Sequence, residues 1–273
     1  MAEHTFVVEK TCPICGQTTR IVKTKDSKLM ILAQDDDFCR HYKDFNPYFY
    51  KIWLCEHCGF AADEKTFLNG LPERHRETIR GYLEQKKLNM EFTEVRGVPE
   101  AVASFKLAIF FDELIKAPLA RQAGLWLELG WVYRDSGEEE KEQQALVKAA
   151  DLYDESLMTE HYPINGMSDT MAIYLIGVLR YRTGDYDTAE KYISRIMGDR
   201  NVRETDYKLY KASRDIWQNM RELAKNKQED AKAAAAAKQQ EAREEARAQR
   251  NQATSKPAAK NKKKEKKGWR KWF

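Results

Sequence analysis

Two short cysteine motifs limit what this chain of 273 residues can fold into more than any other feature. Cys12-Pro13-Ile14-Cys15-Gly16 and Cys55-Glu56-His57-Cys58-Gly59 each place two thiols on one tight turn. The glycine after each pair can close that turn at positive φ. Four thiolates make a closed tetrahedral site with no position left for a substrate. The expectation is therefore one structural Zn2+ per chain, held by Cys12, Cys15, Cys55 and Cys58. Ligand identity alone does not separate zinc from iron. A redox dithiol would need one pair at a helix N-terminus in a βαβ setting, and neither pair has it. His57, inside the second motif, is the one residue that could stand in for a cysteine.

The spacer between Cys15 and Cys55 is 39 residues, longer than ribbon-type zinc sites use, so an insertion must sit inside the ribbon. Short β-like runs occur at 6–8, 20–22, 29–32 and 48–54, and the last two, rich in β-formers beside turn signals, read as strands. The aromatic run from Phe45 to Trp53 reads as the small core of this head, with base stacking as the competing use. Asp35-Asp36-Asp37, Cys39 and His41 form a third cluster. It could hold a hard metal ion or a His-assisted thiol. The plainer reading is a turn capped by the acids, a buried apolar Cys39 and a surface His41.

From about residue 72 the period becomes helical, with Pro72, Pro99 and Pro118 each placed where a first helical residue would stand. Trp126-Leu127-Glu128-Leu129-Gly130-Trp131-Val132-Tyr133 matches the tetratricopeptide opening W-x-x-L-G-x-x-Y at every signature position. Ala145 and Ala149 supply the small residues of a second helix. A second copy begins at Ile173, with Ile176-Gly177 in the Leu-Gly places and Gly184-Asp185-Tyr186 at the turn; Arg180 replaces the aromatic residue. A weaker half-repeat runs Ala101, Phe105, Ala108. The helix from about 203 to 225, with Leu209, Ile216, Met220 and Leu223 on one stripe, reads as a cap. A generic helical bundle is the alternative.

Charge is unevenly spread. The last 48 residues, from Asn226, hold 15 Lys/Arg against 6 Asp/Glu, while the first 225 hold 32 against 37. Attraction to nucleic acid or anionic lipid would therefore live in the tail rather than in the body. The Ala/Gln/Glu/Arg/Lys segment 232–252 is helical by propensity but has nothing to bury. Beyond it come Lys262, Lys263, Lys264, Lys266, Lys267, Trp269, Arg270, Lys271, Trp272 and Phe273. These mixed cations and rings suit an anionic membrane surface or RNA; a solvated tail is the bland reading. No run approaches the ~20 apolar residues of a membrane span. The start, MAEHTFVVEK, lacks the apolar stretch of a secretory signal. The expected localisation is cytoplasmic, with peripheral contact at the inner membrane face if the tail binds lipid.

CPICG, then DDDFCRHYKDFNPYFYKIWLCEHCGFAA, then tetratricopeptide-like helices, resembles the bacterial family catalogued as domain of unknown function 2225. The stretch from Cys12 to Ala62 carries most of the likeness. The resemblance implies a cytosolic protein with a zinc-ribbon-like head and helical repeats, and it implies no activity.

The expected fold is mainly α: a zinc-ribbon-like β head over 1–70, a short tetratricopeptide-like α-solenoid with its capping helix over 71–225, and a helical extension with a basic tail over 226–273. The expected function is a non-catalytic adaptor or scaffold. Its repeat groove would offer Leu127, Trp131, Arg134, Tyr174, Val178 and Tyr181 to a protein or peptide partner, with no small-molecule substrate. The alternative is a nucleic-acid or ribosome-associated protein acting through ribbon and tail. An enzyme built on Asp35, Asp37 and His41 lacks any motif joining nucleophile, base and oxyanion donor.

Overall fold

The chain is described from a computed structural model covering residues 3–85 and 95–254, with side chains described to residue 246. The expected tail residues, Lys262 to Phe273, lie outside the described residues. The fold is mainly α with a small N-terminal β region. Its first compact unit is Met1–Met220 and its second Arg221–Phe273. The expected division at 70/71 falls inside the first unit, where head and repeats share one apolar core.

Three antiparallel hairpins build the head. β1 (Thr5–Thr11) pairs with β2 (Thr18–Thr24), from Thr5↔Thr24 to Thr11↔Thr18, and the first cysteine motif is the loop between them. β5 (Ile52–Leu54) pairs with β6 (Ala61–Asp63), and the second motif is their loop. Between these two hairpins lies the insertion that the long spacer demands. It holds β3 (Ile31–Gln34), paired with β4 (Arg40–Tyr42) through a bulge between Ile31 and Ala33. The strand expected over 48–54 is only half a strand. Asn46 caps a 3-10 turn over Pro47–Tyr50 by accepting from the Tyr48 amide at 2.9 Å, and Pro47 presets its first residue. Extended chain resumes at Ile52. The aromatic run does form head core: Tyr48, Tyr50 and Trp53 are all buried.

Among the described residues, eight helices follow within the first unit: α1 (Glu64–Asn69), α2 (Glu73–Gln85), α3 (Val98–Leu114), α4 (Leu119–Asp135), α5 (Glu139–Thr159), α6 (Asp169–Arg182), α7 (Tyr186–Gly198) and α8 (Arg200–Thr205). The ninth, α9 (Tyr207–Thr254), begins in the first unit, burying Leu209, Ile216 and Met220. Past Met220 its described side chains are exposed, Leu223 of the expected stripe among them, and from residue 232 there is no bulky apolar side chain to bury.

α4 packs on α5 and α6 on α7. Gly130 and Gly177 lie at these two crossings. A Cβ on Gly130 would stand 2.9 Å from Leu146 Cδ2; one on Gly177 would stand 2.7 Å from Ile193 Cδ1 and 3.4 Å from the Ile193 backbone nitrogen. A larger residue at Gly177 would press on backbone, while at Gly130 it would first displace the end of the Leu146 side chain. The head joins the helices through packed rings, Phe67 stacked on Phe60 and Phe60 tilted against Phe111, with centroids 5.8 and 5.5 Å apart. Buried Arg96 donates to the Ile52 carbonyl at 2.6 Å, and Lys51 Nζ meets Glu128 Oε1 of α4 at 3.0 Å.

Candidate metal centre and acidic clamp

The two cysteine loops have the same local geometry. In the first, the Gly16 amide donates to the Cys12 carbonyl at 3.0 Å and the Cys12 amide to the Gln17 carbonyl at 2.9 Å. In the second, Gly59 donates to Cys55 at 2.8 Å and Cys55 to Phe60 at 2.9 Å. Gly16 and Gly59 sit at φ 73° and 80°, which a side chain would strain. The Glu56 amide bonds to Thr19 Oγ1 at 3.1 Å, lacing the second loop to β2. Arg80 of α2 reaches over the first loop to the Ile14 carbonyl at 3.3 Å.

The loops face one another and interleave their sulfurs. Cys12 Sγ lies 3.7 Å from Cys58 Sγ, and Cys15 Sγ lies 3.6 Å from Cys55 Sγ. All four sulfurs fall within 4.8 Å of one another and all four cysteines are free. A zinc–sulfur length of about 2.3 Å gives a tetrahedron with edges of about 3.8 Å, so the four thiols fit one tetrahedral ion. The Ile14 amide points at Cys12 Sγ from 3.4 Å, a donor that favours thiolate. Among the thiols themselves, hydrogen bonds from Cys12 and then Cys58 hold Cys55 well below the usual thiol range. The partner bonds push Cys12 up to about 12 and raise Cys58. A cation bound among the four sulfurs would favour the thiolate form of each. His57 is not among the clustered donor atoms, which belong to the four cysteines; its Nε2 lies 2.8 Å from the Thr18 carbonyl. Cys15 and Cys58 are half-buried along a cleft of about 1100 Å³ that Arg76, Arg80 and Leu83 also line.

Of the six residues expected to line a groove for an outside partner, Leu127, Trp131, Tyr174 and Val178 are buried by the chain itself, and Arg134 and Tyr181 are half-buried. The turn of the β3–β4 hairpin, Asp35 to Phe38, is seated against α4 and α6. Arg134 donates through Nη1 to Asp35 Oδ2 at 2.6 Å and through Nη2 to Asp37 Oδ2 at 2.7 Å. Its Nε donates to Glu142 Oε1 at 2.7 Å. Trp131 Nε1 donates to Asp37 Oδ2 at 3.2 Å, and the Tyr174 hydroxyl donates to the Asp36 carbonyl at 2.9 Å. The Phe38 ring lies 5.5 Å from that of Tyr174, and Arg182 stands 3.4 Å from Asp35. Leu127 and Val178 are core residues, and Tyr181 is half-buried with its ring 5.9 Å from that of Tyr186. The correction has a physical cause. Spacing marks which helix face looks inward, but an inner face can be filled by a segment from anywhere in the chain.

Asp37 is completely buried. Burial alone would raise its carboxyl, but hydrogen bonds and charge from Arg134, then Arg182 and the Cys39 amide, hold it below the usual range. Asp35, Cys39 and His41 also bring donor atoms within 4.8 Å. However, the Asp35 oxygen that meets His41 at 3.0 Å is the one Arg134 and Arg182 hold. Burial pushes the Cys39 thiol up to about 12. The triad belongs to the clamp. Of its parts, Arg182 and Glu142 escaped the sequence reading. The one signal for them was a Tyr-Arg pair near the end of each inner helix, Tyr133-Arg134 and Tyr181-Arg182.

A protein-family profile described as an uncharacterized protein conserved in bacteria, DUF2225, matches residues 7–220. The chain belongs to that family. Neither the curated proteins nor the solved structures return a match. The DUF2225 region ends where the first compact unit ends, so it takes in both the thiol cluster and the clamp. Among the described residues, no helix is long and apolar enough to cross a membrane.

Proposed function

We propose that this chain is a non-catalytic interaction protein whose head is held by a structural zinc ion and whose repeats recognise an acidic turn. The observation that carries this reading is the seating of Asp35–Phe38 on Arg134, Arg182, Trp131 and Tyr174. Two guanidinium groups, an indole N–H and a phenol set around an acidic-aromatic segment form a peptide receptor, with the chain's own hairpin as its resident ligand. An acidic segment of a partner protein would compete for the same place. A four-thiolate site offers no open coordination position, which supports a scaffolding role for the ion.

The test uses a labelled peptide copying residues 33–41, with Ser for Cys39. It should bind the Asp35→Asn/Asp37→Asn protein, in which the resident turn has lost its charges, and not the wild type. Adding Arg134→Met should abolish that binding. A double variant that stays folded and still ignores the peptide removes the reading. The alternative, nucleic-acid or ribosome binding, rests on the basic tail alone. RNA gel shift and liposome co-sedimentation, comparing the full chain with one stopped after Lys256, test the tail for RNA and for an anionic membrane surface.

A further inference from the structure

Between the head and the helices lies a cleft of about 490 Å³ that uses no residue of the thiol cluster or the clamp. Lys51 reaches it from the head, Lys65 from α1, Gly124 and Glu128 from α4, and Tyr153 from α5. Ile164 and Met167 give it an apolar wall, their backbones fixed by a pair of mutual hydrogen bonds at 3.0 and 2.9 Å.

The floor of this cleft is polar. Tyr153 is only 1% exposed, yet its hydroxyl has no hydrogen-bond partner among the described residues. Buried phenols normally find one. The hydroxyl looks into the cleft through the gap that Gly124 leaves, where a Cβ would stand 3.6 Å from it. Burial raises its pKa, so it keeps its proton and can both donate and accept. Glu128 follows Gly124 by four residues, on the same face of α4, and its charge acts on that hydroxyl. The Glu128 carboxylate meets Lys51 at 3.0 Å, and one ammonium leaves most of its acceptor sites unused.

Other charges around the cleft are committed. Arg121 donates to Asp112 at 2.7 Å, and Asp63 accepts from the Thr66 amide and hydroxyl at 3.0 and 2.6 Å. At the exposed rim, Lys65 has no ion-pair partner among the described residues. A ligand of one sign would therefore face a like charge, either Glu128 at the floor or the lysines. A ligand with a cation and an anion close together meets an opposite charge at each end.

We propose that this cleft binds a free α-amino acid with an aliphatic side chain. The ammonium donates to Glu128 and to Tyr153 Oη, the carboxylate accepts from Lys65, and the side chain lies on Ile164 and Met167. The site is separate from the receptor for the acidic turn, so either reading can fail without the other.

L-Leucine and L-methionine are the probes, titrated into the full-length protein in a calorimeter. At least one should bind with a dissociation constant below about 1 mM, and its deaminated and decarboxylated counterparts should each bind about tenfold more weakly. Tyr153→Phe should weaken binding about tenfold and leave the melting temperature of the free protein unchanged, because the hydroxyl supports nothing else in the chain. Gly124→Ala should raise the melting temperature, alanine being the better helix former, and weaken binding by covering the hydroxyl. If neither amino acid binds at about 10 mM, the hydroxyl meets water only and the proposal falls. It falls equally if a single-charge counterpart binds as tightly as the amino acid, or if Tyr153→Phe binds it unchanged.

Discussion

The head and the repeats are held by opposite means. Each of the head's three sheets has two strands, below the size that is stable alone, and its hairpins need the thiol cluster and the rings of 45–67 to stay together. The helices need no such staple. α4 to α7 bury a continuous run of Leu, Ile, Ala and aromatic residues, and their glycines let backbones approach closely. The two are joined by a third means, the charged clamp at Asp35–Asp37. A chain can thus use soft ligands, apolar packing and ion pairs in three places, and each should fail separately.

The largest effect is expected at the thiols. Removing a structural zinc site costs on the order of 10 kcal/mol of coupled folding energy, so Cys55→Ser or chelation should unfold the head while leaving most helicity. Metal analysis and far-UV circular dichroism on the same sample check this; a protein purified without chelator that holds far less than one equivalent breaks the contrast.

Next comes the clamp. Arg134→Met leaves Asp37 and Glu142 buried without their main partner and should cost about 3–5 kcal/mol in denaturant melts. The acid response has the same origin. A carboxyl held low in the folded state stabilises above its unfolded pKa of about 3.9 and loses that contribution as pH falls below it. Stability should therefore drop below about pH 4, and Asp37→Asn should flatten that part of the profile.

Within the repeats, Gly177→Leu should cost about 1–3 kcal/mol, toward the upper end because the backbone of Ile193 stands in the way. Gly130→Leu should cost less, since the nearest atom is the mobile end of Leu146. Melting temperatures that do not move on either substitution would remove both glycines from helix crossings. The smallest effect is a null: Cys39→Ser should leave metal content unchanged, and loss of metal would mean that the four-ligand set is incomplete.

Much of this architecture was legible in the residues. A C-x-x-C-G loop is a local object, so two of them announce a metal site wherever they fall. The W-x-x-L-G-x-x-Y run and the Thr-Gly-Asp-Tyr turn set α4, α6 and α7 by contacts within one or two helical turns. The long spacer required an insertion, and the change of period near Pro72 marked where helices begin.

What filled the inner face of the repeats was decided only in three dimensions. Arg134 and Asp37 are 97 residues apart, and no periodicity links a hairpin turn to a helix it will touch. Asp35-Asp36-Asp37 read as a solvated cap because, by local rules, three acids in a row belong in water. Asp37 is buried and Asp35 half-buried because two guanidinium groups from α4 and α6 arrive at the same point, while Asp36 stays exposed. The bare edge of β3 is equally a tertiary fact. Its sequence marks an apolar strand, and only the placement of the other described elements shows that none of them pairs with its outer edge.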